Sequence, residues 1–450
     1  MERSQLRKGM IDADVIVIGS GPGGYTLAAK AHALGKRTII IERDNLGGTC
    51  LNRGCIPTKA LCKSAEVATT VKEAAEFGVN VDGVSFNYPL AVNRKNEVVA
   101  SLREGVATVL SGVEIVRGDA VFTDAHTVSV NGESYTASKI ILATGSRPAS
   151  LPIAGAEYAV NSDFVLEMTS LPESMIIIGG GVIGMEFASI FNSFGVRVTV
   201  LEYCPEILPP FDEEIAKRLR MSLKRKGIEI VTSAQVTSIS SSLEVECSVK
   251  GKIKNFSAEM VLMAVGRTPV LPTGLKEAGI ELTPRGAVKV NDRMETNLPG
   301  VYAIGDVNGL CMLAHAAEAQ GKVALGLHQR LDIVPSAVFT MPECAMVGMT
   351  EKQCAEQRIE CKIGKATFRS NGKALAMGEP DGLVKVILST DDKLLGCHIC
   401  GAHAADLVQE AATLINSDMP ATALSDAIHS HPTLGETVMT AVEAAISISK

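Results

Sequence analysis

The sequence lacks several features that would assign the protein to other classes. Its longest apolar runs, such as residues 15–18, have only the length of a strand, so we expect no membrane span. It has no run of basic residues, and its formal net charge of −7 does not favour nucleic-acid binding. The first apolar stretch leads directly into a glycine motif, so we expect a strand there and no secretory signal.

The cysteines do not form the pattern of a secreted disulfide framework. There are 11 of them, an odd number, and their spacing is scattered. This usage predicts a cytoplasmic protein, in which a close cysteine pair is catalytic or binds metal. The 450 residues correspond to about three domains.

The most informative cysteine pair is Cys50 and Cys55, which lie five positions apart in the sequence. A regular helix would separate their Cα atoms by roughly 8.7 Å, and a disulfide spans at most about 7 Å. They can therefore bridge only if the backbone between them is distorted, and Gly54 supplies that freedom. Zinc would need further ligands, and no second close Cys/His set is evident. We favour a redox pair over a zinc site or two buried thiols.

A dinucleotide-binding pattern lies near the N-terminus. The apolar strand 14–18 runs into a glycine motif, a predicted helix over 25–34 and a second strand over 37–41, which ends in Glu42. The glycines of this G-x-G-x-x-G motif are Gly19, Gly21 and Gly24. Such glycines let the backbone approach a pyrophosphate, and the acid binds an adenosine ribose. The motif is informative because strand, helix, strand and acid surround it.

The same pattern recurs in the middle of the chain. Strand 175–178, helix 185–194 and strand 197–201 lead to Glu202. The glycines of this second motif are Gly179, Gly181 and Gly184. Two copies imply two dinucleotides. No arginine follows Glu202, so its carboxylate would repel a 2′-phosphate, which favours NAD over NADP.

Two further strands, 140–144 and 260–265, each end in a glycine turn in which an arginine and a proline follow the glycine within three residues. This similarity suggests that the chain crosses between two domains there. Strand 301–304 leads to Asp306, before a helix predicted over 313–328. Asp306 either accepts hydrogen bonds from cofactor hydroxyls or caps that helix.

The final third changes to the pattern of an α+β domain. It predicts strands over 337–340, 362–368, 383–388 and 394–399, and helices over 404–417 and 421–428. Cys397 and Cys400 lie three apart in a predicted strand and point to opposite faces, so we interpret them as packing residues. Near the end, His431 and Glu436 could form a base and its orienting partner, or only a surface pair.

Together these segments resemble the flavoprotein disulfide reductases over essentially the whole chain. Residues 47–61 are similar to the redox signature of that family, and residues 431–436 to its base motif, with Gly435 where the family often has serine. The resemblance implies an α/β fold with two Rossmann-like domains, for FAD and NAD, and a C-terminal α+β dimerisation domain. The implied boundaries are 1–147 and 269–335 for the FAD domain, 148–268 for the NAD domain and 336–450 for the interface domain.

The resemblance also implies a role for each candidate residue. FAD would be bound by Gly19, Gly21, Gly24, Glu42, Lys59, Gly145, Asp306 and Ala314. NAD would be bound by Gly179, Gly181, Gly184, Glu186, Glu202 and Gly266, with Glu186 able to pair with Lys59. The catalytic residues would be Cys50, Cys55, His431 and Glu436.

The branch of the family that the chain resembles most oxidises protein-bound dihydrolipoamide with NAD⁺. A homodimer is implied, with the lipoyl domain of an acyltransferase or of the glycine-cleavage H protein as partner. Mercuric and glutathione reductases are alternatives, although no cysteine pair ends this chain and Glu202 disfavours NADP. A non-catalytic scaffold that keeps both cofactors is a third interpretation, which the intact redox and base residues disfavour.

Overall fold

The computed structural model describes residues 10–447, without the side chains of Met10 and Ile11. The chain forms two compact units. The first comprises the chain up to Ala60 with Asn93–Ala149 and Arg267–Leu331, and the second comprises Leu61–Val92, Ser150–Gly266 and the chain from Asp332 onward. The predicted domain boundaries remain a prediction. Between residues 10 and 447, no helix has both the length and the apolar composition needed to cross a membrane.

Strands and helices alternate along most of the chain. The first third contains β1 (Met10–Ile18), α1 (Pro22–Ala33), β2 (Thr38–Glu42), α2 (Gly48–Arg53), α3 (Cys55–Glu73), α4 (Tyr88–Val109), β3 (Glu114–Arg117), β4 (Val121–Asp124), β5 (Thr127–Val130), β6 (Glu133–Leu142) and β7 (Ser146–Pro148). The middle contains α5 (Ser162–Glu167), β8 (Ser174–Ile178), α6 (Val182–Ser193), β9 (Arg197–Leu201), α7 (Glu213–Arg225), β10 (Glu229–Val231), β11 (Ala234–Ile239), β12 (Glu244–Val249), β13 (Lys252–Ser257), β14 (Met260–Met263), β15 (Arg267–Pro269), β16 (Val301–Ala303) and α8 (Ala314–Ala324). The last part contains β17 (Ser336–Val338), β18 (Glu343–Gly348), α9 (Glu351–Glu356), β19 (Cys361–Thr367), α10 (Gly372–Ala376), β20 (Leu383–Ser389), β21 (Leu394–Gly401), α11 (Ala404–Asn416), α12 (Thr422–Ser425) and α13 (Gly435–Ser447).

The first unit is built on a parallel sheet of order β3-β2-β1-β6, with β16 beside the second half of β6. Residues 15–18 of β1 are at most 4% exposed, as expected for a strand covered on both faces. The register places Ile18 of β1 beside Ile41 of β2 and Leu142 of β6. These three strands end level, so the residues that follow them lie along one edge of the sheet.

The middle of the chain repeats this arrangement inside the second unit. Its parallel sheet has the order β10-β9-β8-β14, and Ile178 lies beside both Leu201 and Met263. Strands β7 and β15 pair antiparallel where the chain leaves the first unit and where it returns. The predicted chain crossing is therefore confirmed.

The C-terminal region is an antiparallel sheet of order β17-β18-β21-β20-β19, with α11 packed on β18 and β21 and α13 on β19 and β20. The α/β fold class with a final α+β region is confirmed. Strand β18 was not predicted, because Val347 is its one β-branched residue and it has no aromatic residue. The helix predicted over 421–428 was wrong in extent, since only Thr422–Ser425 is helical and Ile428 has no packing to support a longer helix.

Cys397 and Cys400 confirm the packing interpretation. Both are completely buried in β21. Cys397 packs among apolar residues under α11 and α13, and Cys400 belongs to the apolar core on the opposite face, which includes Leu219 of α7. The alternation of side chains along a strand produces this separation.

A buried lysine joins the antiparallel sheet to helix α7 within the second unit. The Lys385 side chain is 3% exposed, and its Nζ donates to both carboxylate oxygens of Asp212 at 3.0 and 3.1 Å and to Glu351 Oε2 at 2.6 Å. Burial alone would lower the pKa of Lys385, but the hydrogen bonds to Glu351 and Asp212 raise it above its ordinary value. The lysine therefore stays charged and compensates the buried charge of Asp212.

Replacing Lys385 with methionine should lower the free energy of unfolding by about 3–5 kcal/mol, because Asp212 would remain buried without its counter-charge. Urea unfolding followed by circular dichroism measures this change. Lys365→Met is the matched control, since Lys365 pairs with Glu214 at 2.7 Å but is 45% exposed. The control should change stability by no more than about 1 kcal/mol. Equal unfolding midpoints for the two variants would contradict the expectation.

Candidate active site

The first glycine motif forms a tight turn between β1 and α1. Gly19 has a φ of +101°, and a Cβ on it would lie 2.4 Å from the carbonyl oxygen of Ala143. A Cβ on Gly24 would lie 2.0 Å from the carbonyl oxygen of Gly19. At Gly21, in contrast, no described atom beyond the chain neighbours comes within 4 Å of that position. The outer glycines are thus required by packing, whereas the middle glycine faces open space.

Glu42 is held at the end of β2 by hydrogen bonds to both carboxylate oxygens. Oε2 accepts from the backbone N–H of Ser20 at 2.8 Å and from its hydroxyl at 2.6 Å. Oε1 accepts from the backbone N–H of Asp44 at 2.8 Å. Ser20 was not a predicted site residue, although its position inside the glycine motif could have indicated it. These bonds fix the carboxylate beside the glycine turn, where the ribose of a dinucleotide binds.

The second glycine motif has the same backbone contacts as the first. A Cβ on Gly179, whose φ is +110°, would lie 2.4 Å from the carbonyl oxygen of Ala264. A Cβ on Gly184 would lie 2.0 Å from the carbonyl oxygen of Gly179. Gly181 again has no described atom within 4 Å beyond its chain neighbours. Gly181 occupies the N-cap position of α6, and no side chain caps this helix. The first helical N–H groups are therefore available to a phosphate.

Glu202 occupies the place in the second motif that Glu42 occupies in the first. Its Oε2 accepts from the backbone N–H of Gly180, and its Oε1 accepts from the backbone N–H of Cys204 at 2.6 Å. Glu202 as a whole residue is 6% exposed. Two backbone N–H groups therefore fix the carboxylate beside the second turn, and its role in binding ribose hydroxyls remains a prediction.

Asp306, Ser146 and Arg267 form a polar cluster at the junction of β7, β15 and the 3₁₀ turn Gly305–Asn308. The Ser146 hydroxyl donates to Asp306 Oδ2, and the Arg267 guanidinium donates to the Ser146 hydroxyl at 2.7 Å and to its carbonyl oxygen at 2.8 Å. Capping of α8 was one of the two predicted roles of Asp306, but that helix has Leu313 at its N-cap and no side-chain cap. Sequence reasoning missed Ser146 and Arg267 as partners of Asp306.

The remaining residues predicted to bind cofactors occupy turns and helix starts. Gly145 and Gly266 adopt φ values of +69° and +109° in the turns after β6 and β14. Ala314 begins α8, which has no side-chain cap. Lys59 lies on α3, one turn after Cys55. Their roles remain predictions.

Cys50 and Cys55 form a disulfide in the first unit, with Cα atoms 4.7 Å apart. Helix α2 contains Cys50 and ends at Arg53, and Gly54 then takes a non-helical conformation with φ −148° and ψ −112°. Helix α3 begins at Cys55 itself. The predicted distortion between the cysteines is thus a break between two helices. A cysteine at the first position of a helix is favoured as a thiolate by the helix dipole.

Glu186 is a buried carboxylate on α6, 3% exposed. Its Oε1 accepts a hydrogen bond from the backbone N–H of Phe339 at 3.0 Å. The contact links α6 to the segment that follows β17, inside the second unit. Its predicted place beside the nicotinamide and its pairing with Lys59 remain predictions.

His431 and Glu436 are in direct contact in the second unit. The distance from His431 Nδ1 to Glu436 Oε1 is 2.9 Å, and Glu436 Oε2 accepts from the backbone N–H of Thr433 at 2.8 Å. The Thr433 bond and then the histidine lower the pKa of Glu436, so it stays ionised. A Cβ on Gly435 would come no closer than 3.6 Å to another side chain. The pair therefore forms with glycine at this position, which would also accept a serine.

Two family models of known proteins match this chain, one over its first two thirds and one over its C-terminal part. Residues 13–321 match the family model described as pyridine nucleotide-disulphide oxidoreductase, and residues 334–442 match the dimerisation domain of the same proteins. The chain belongs to this family. Enzymes of the family use FAD and NAD(H), and the two turns fit such dinucleotides because each has an open middle glycine and an uncapped helix start.

Curated relatives in the pyridine nucleotide-disulphide oxidoreductase family align over nearly the whole chain. A dihydrolipoyl dehydrogenase from Geobacillus stearothermophilus is 38% identical, with 97% of each chain covered. Another from Bacillus subtilis (strain 168) is 40% identical and covers 96% of this chain and 98% of its own. Among solved structures, the HOCl-induced flavoprotein disulfide reductase RclA from Escherichia coli has a TM-score of 0.84 at 29% identity and covers 97% of this chain and 100% of its own.

The two kinds of glycine in the second turn should respond differently to alanine. Gly181→Ala should weaken NAD⁺ binding by at least roughly tenfold, because its Cβ enters the space beside the phosphates. Its melting temperature should not change. Gly184→Ala should instead destabilise the fold by about 1–3 kcal/mol, because its Cβ collides with the Gly179 carbonyl. Calorimetric NAD⁺ titration and thermal melts measure the two effects. The expectation is wrong if Gly181→Ala binds NAD⁺ normally.

Proposed function

We propose that this protein is a dihydrolipoyl dehydrogenase, which oxidises protein-bound dihydrolipoamide to lipoamide and reduces NAD⁺ to NADH. The observation that carries the proposal is the Cys50–Cys55 disulfide at the start of α3, in the same unit as the first glycine turn. Relatives with this activity in their names align over nearly the whole chain at 38% and 40% identity. FAD would bind the first turn with Glu42, and NAD the second turn with Glu202.

His431 would act as the base. With its Nδ1–H donated to Glu436, the imidazole keeps its Nε2 lone pair for a substrate proton. The carboxylate holds the ring in that tautomer and stabilises the imidazolium that forms. The His431 side chain is 78% exposed in the single chain, so its Nε2 is available to groups that do not belong to this chain.

The Cys50–Cys55 disulfide would accept the electron pair of the substrate dithiol. The substrate thiolate attacks Cys50 Sγ, the bond to Cys55 breaks, and Cys55 leaves as a thiolate at the start of α3. The second substrate thiol then displaces Cys50, which closes the lipoamide disulfide. The proton of this second thiol passes to the Cys50 sulfur, and His431 keeps the proton of the first. Bound FAD and NAD⁺ supply the chemistry that follows, which is acceptance of this electron pair and its transfer as hydride.

A homodimer would complete the active site. The matched dimerisation domain supports two subunits, and His431 and Glu436 lie within it. We infer that His431 of one subunit serves Cys50 of the partner subunit, and that two-fold symmetry creates two such sites. The lipoyl domain of an acyltransferase or of the glycine-cleavage H protein would bring the substrate. A cytoplasmic location remains part of this proposal.

Turnover of dihydrolipoamide with each nicotinamide tests the function. We expect kcat/KM to be at least about 100-fold higher with NAD⁺ than with NADP⁺, because placing a phosphate beside the Glu202 carboxylate costs several kcal/mol. Glu202→Gln should reduce this preference and leave the disulfide intact. Absence of turnover with either nicotinamide would refute the function, and a preference for NADP⁺ would refute the role of Glu202.

Mixed dimers test whether the site is shared. Cys50→Ser and His431→Gln should each be inactive, and subunit exchange at equal amounts makes about half of the dimers mixed. In a mixed dimer one site carries both defects, and the other combines the intact Cys50 with the intact His431. About a quarter of all sites should therefore regain activity. Unmixed variants carried through the same exchange are the controls. No recovery after demonstrated exchange would rule out a shared site.

A further inference from the structure

The peptide between the two redox cysteines is held by an arginine from a distant helix. Asn52 lies on α2 between Cys50 and Cys55, and its side-chain Oδ1 accepts two hydrogen bonds from Arg103 of α4. Arg103 Nε donates at 3.1 Å and Nη2 at 2.7 Å. Both residues lie in the first unit and are half-buried. Partial burial strengthens such charge-assisted bonds relative to the same bonds in water.

The amide nitrogen of Asn52 extends the contact to the backbone before Cys50. Nδ2 donates to the carbonyl oxygens of Leu46 and Gly48, each at 2.9 Å. The amide has two N–H donors and one carbonyl oxygen, and all of them are engaged. A single side chain thus connects the segment before α2, the first residue of α2 and helix α4.

The burial pattern of α4 explains why Arg103 reaches this position. Residues three and four apart share a helix face, so Arg103 lies on the same face as Val99 and Val106. These valines are 6% and 5% exposed and pack in one apolar cluster with Leu51 of α2, which is 7% exposed. Apolar contact therefore brings α2 and α4 together, and the guanidinium is directed at the adjacent Asn52.

We propose that Arg103 is a positioning residue for the redox pair and acts through Asn52. By fixing α2 against the segment that precedes it and against α4, this contact keeps Cys50 within disulfide reach of Cys55. Releasing it allows the short helix to move once the bond is reduced, which favours the dithiol over the disulfide. The inference rests on the proposed redox role of the two cysteines, but it can be measured without turnover.

The thiol–disulfide equilibrium of the full-length holoprotein is the direct measurement. The protein is equilibrated anaerobically with mixtures of reduced and oxidised dithiothreitol, quenched by alkylation, and the peptide containing both cysteines is analysed by mass spectrometry. In Arg103→Gln the equilibrium should move toward the dithiol by roughly tenfold, as expected for losing hydrogen bonds to a charged group. Arg103→Lys should restore part of this shift, because an ammonium supplies a donor but not the two-pronged contact.

Arg94→Gln is the matched control, since Arg94 is an exposed arginine on the same helix. Asn52→Ser provides a second route, because it should shift the equilibrium without altering α4. Combining it with Arg103→Gln should add little, since both act through one contact. The proposal is overturned if Arg103→Gln leaves the equilibrium within twofold of the wild type, if Arg94→Gln shifts it equally, or if the two shifts add fully. A wild-type pair that exchanges normally without oxidising dihydrolipoamide would refute the proposed function and leave this inference standing.

Discussion

The two glycine turns, at residues 19–24 and 179–184, depend on how closely a helix can approach the end of a parallel strand. A Cβ at Gly24 or at Gly184 would lie 2.0 Å from a carbonyl oxygen of its own turn. Any larger residue at either position would therefore prevent the helix from packing this close to the strand. That close approach places the helix start level with the strand ends, where Glu42 and Glu202 emerge. The hydrogen bonds from the turn to each carboxylate follow from the same placement.

The two turns differ at the position after the first glycine, where Ser20 corresponds to Gly180, and packing explains this difference. Ser20 donates its hydroxyl to Glu42, whereas Gly180 offers only its backbone N–H to Glu202. A Cβ on Gly180 would lie 3.1 Å from both Glu202 and Ile207. A serine could enter the second turn only if these side chains moved. The Glu42 carboxylate therefore accepts three hydrogen bonds and the Glu202 carboxylate accepts two, although the two turns have similar backbone geometry.

The features that the sequence alone predicted are those determined over short stretches of chain. The glycine turns, the strands that precede them and the redox pair each depend on neighbouring residues. The start of α1 was predicted three residues late, because a proline in the first turn extends the helix to Pro22. Helix α13 has a regular apolar spacing that could have been recognised but was not. Contacts such as Arg103 with Asn52 could not be predicted, because tertiary packing alone brings those side chains together.

The burial of so many thiols has a consequence for chemical labelling. Of the nine cysteines outside the disulfide, five are buried: Cys247, Cys344, Cys354, Cys397 and Cys400. Burial raises the pKa of Cys354 to about 11 and that of Cys397 to about 12, which leaves almost no reactive thiolate at neutral pH. The native protein should therefore present a background of at most four alkylated sites, the half-buried Cys62, Cys204, Cys311 and Cys361. Against that small background, the two thiols released by reduction can be counted without removing any other cysteine.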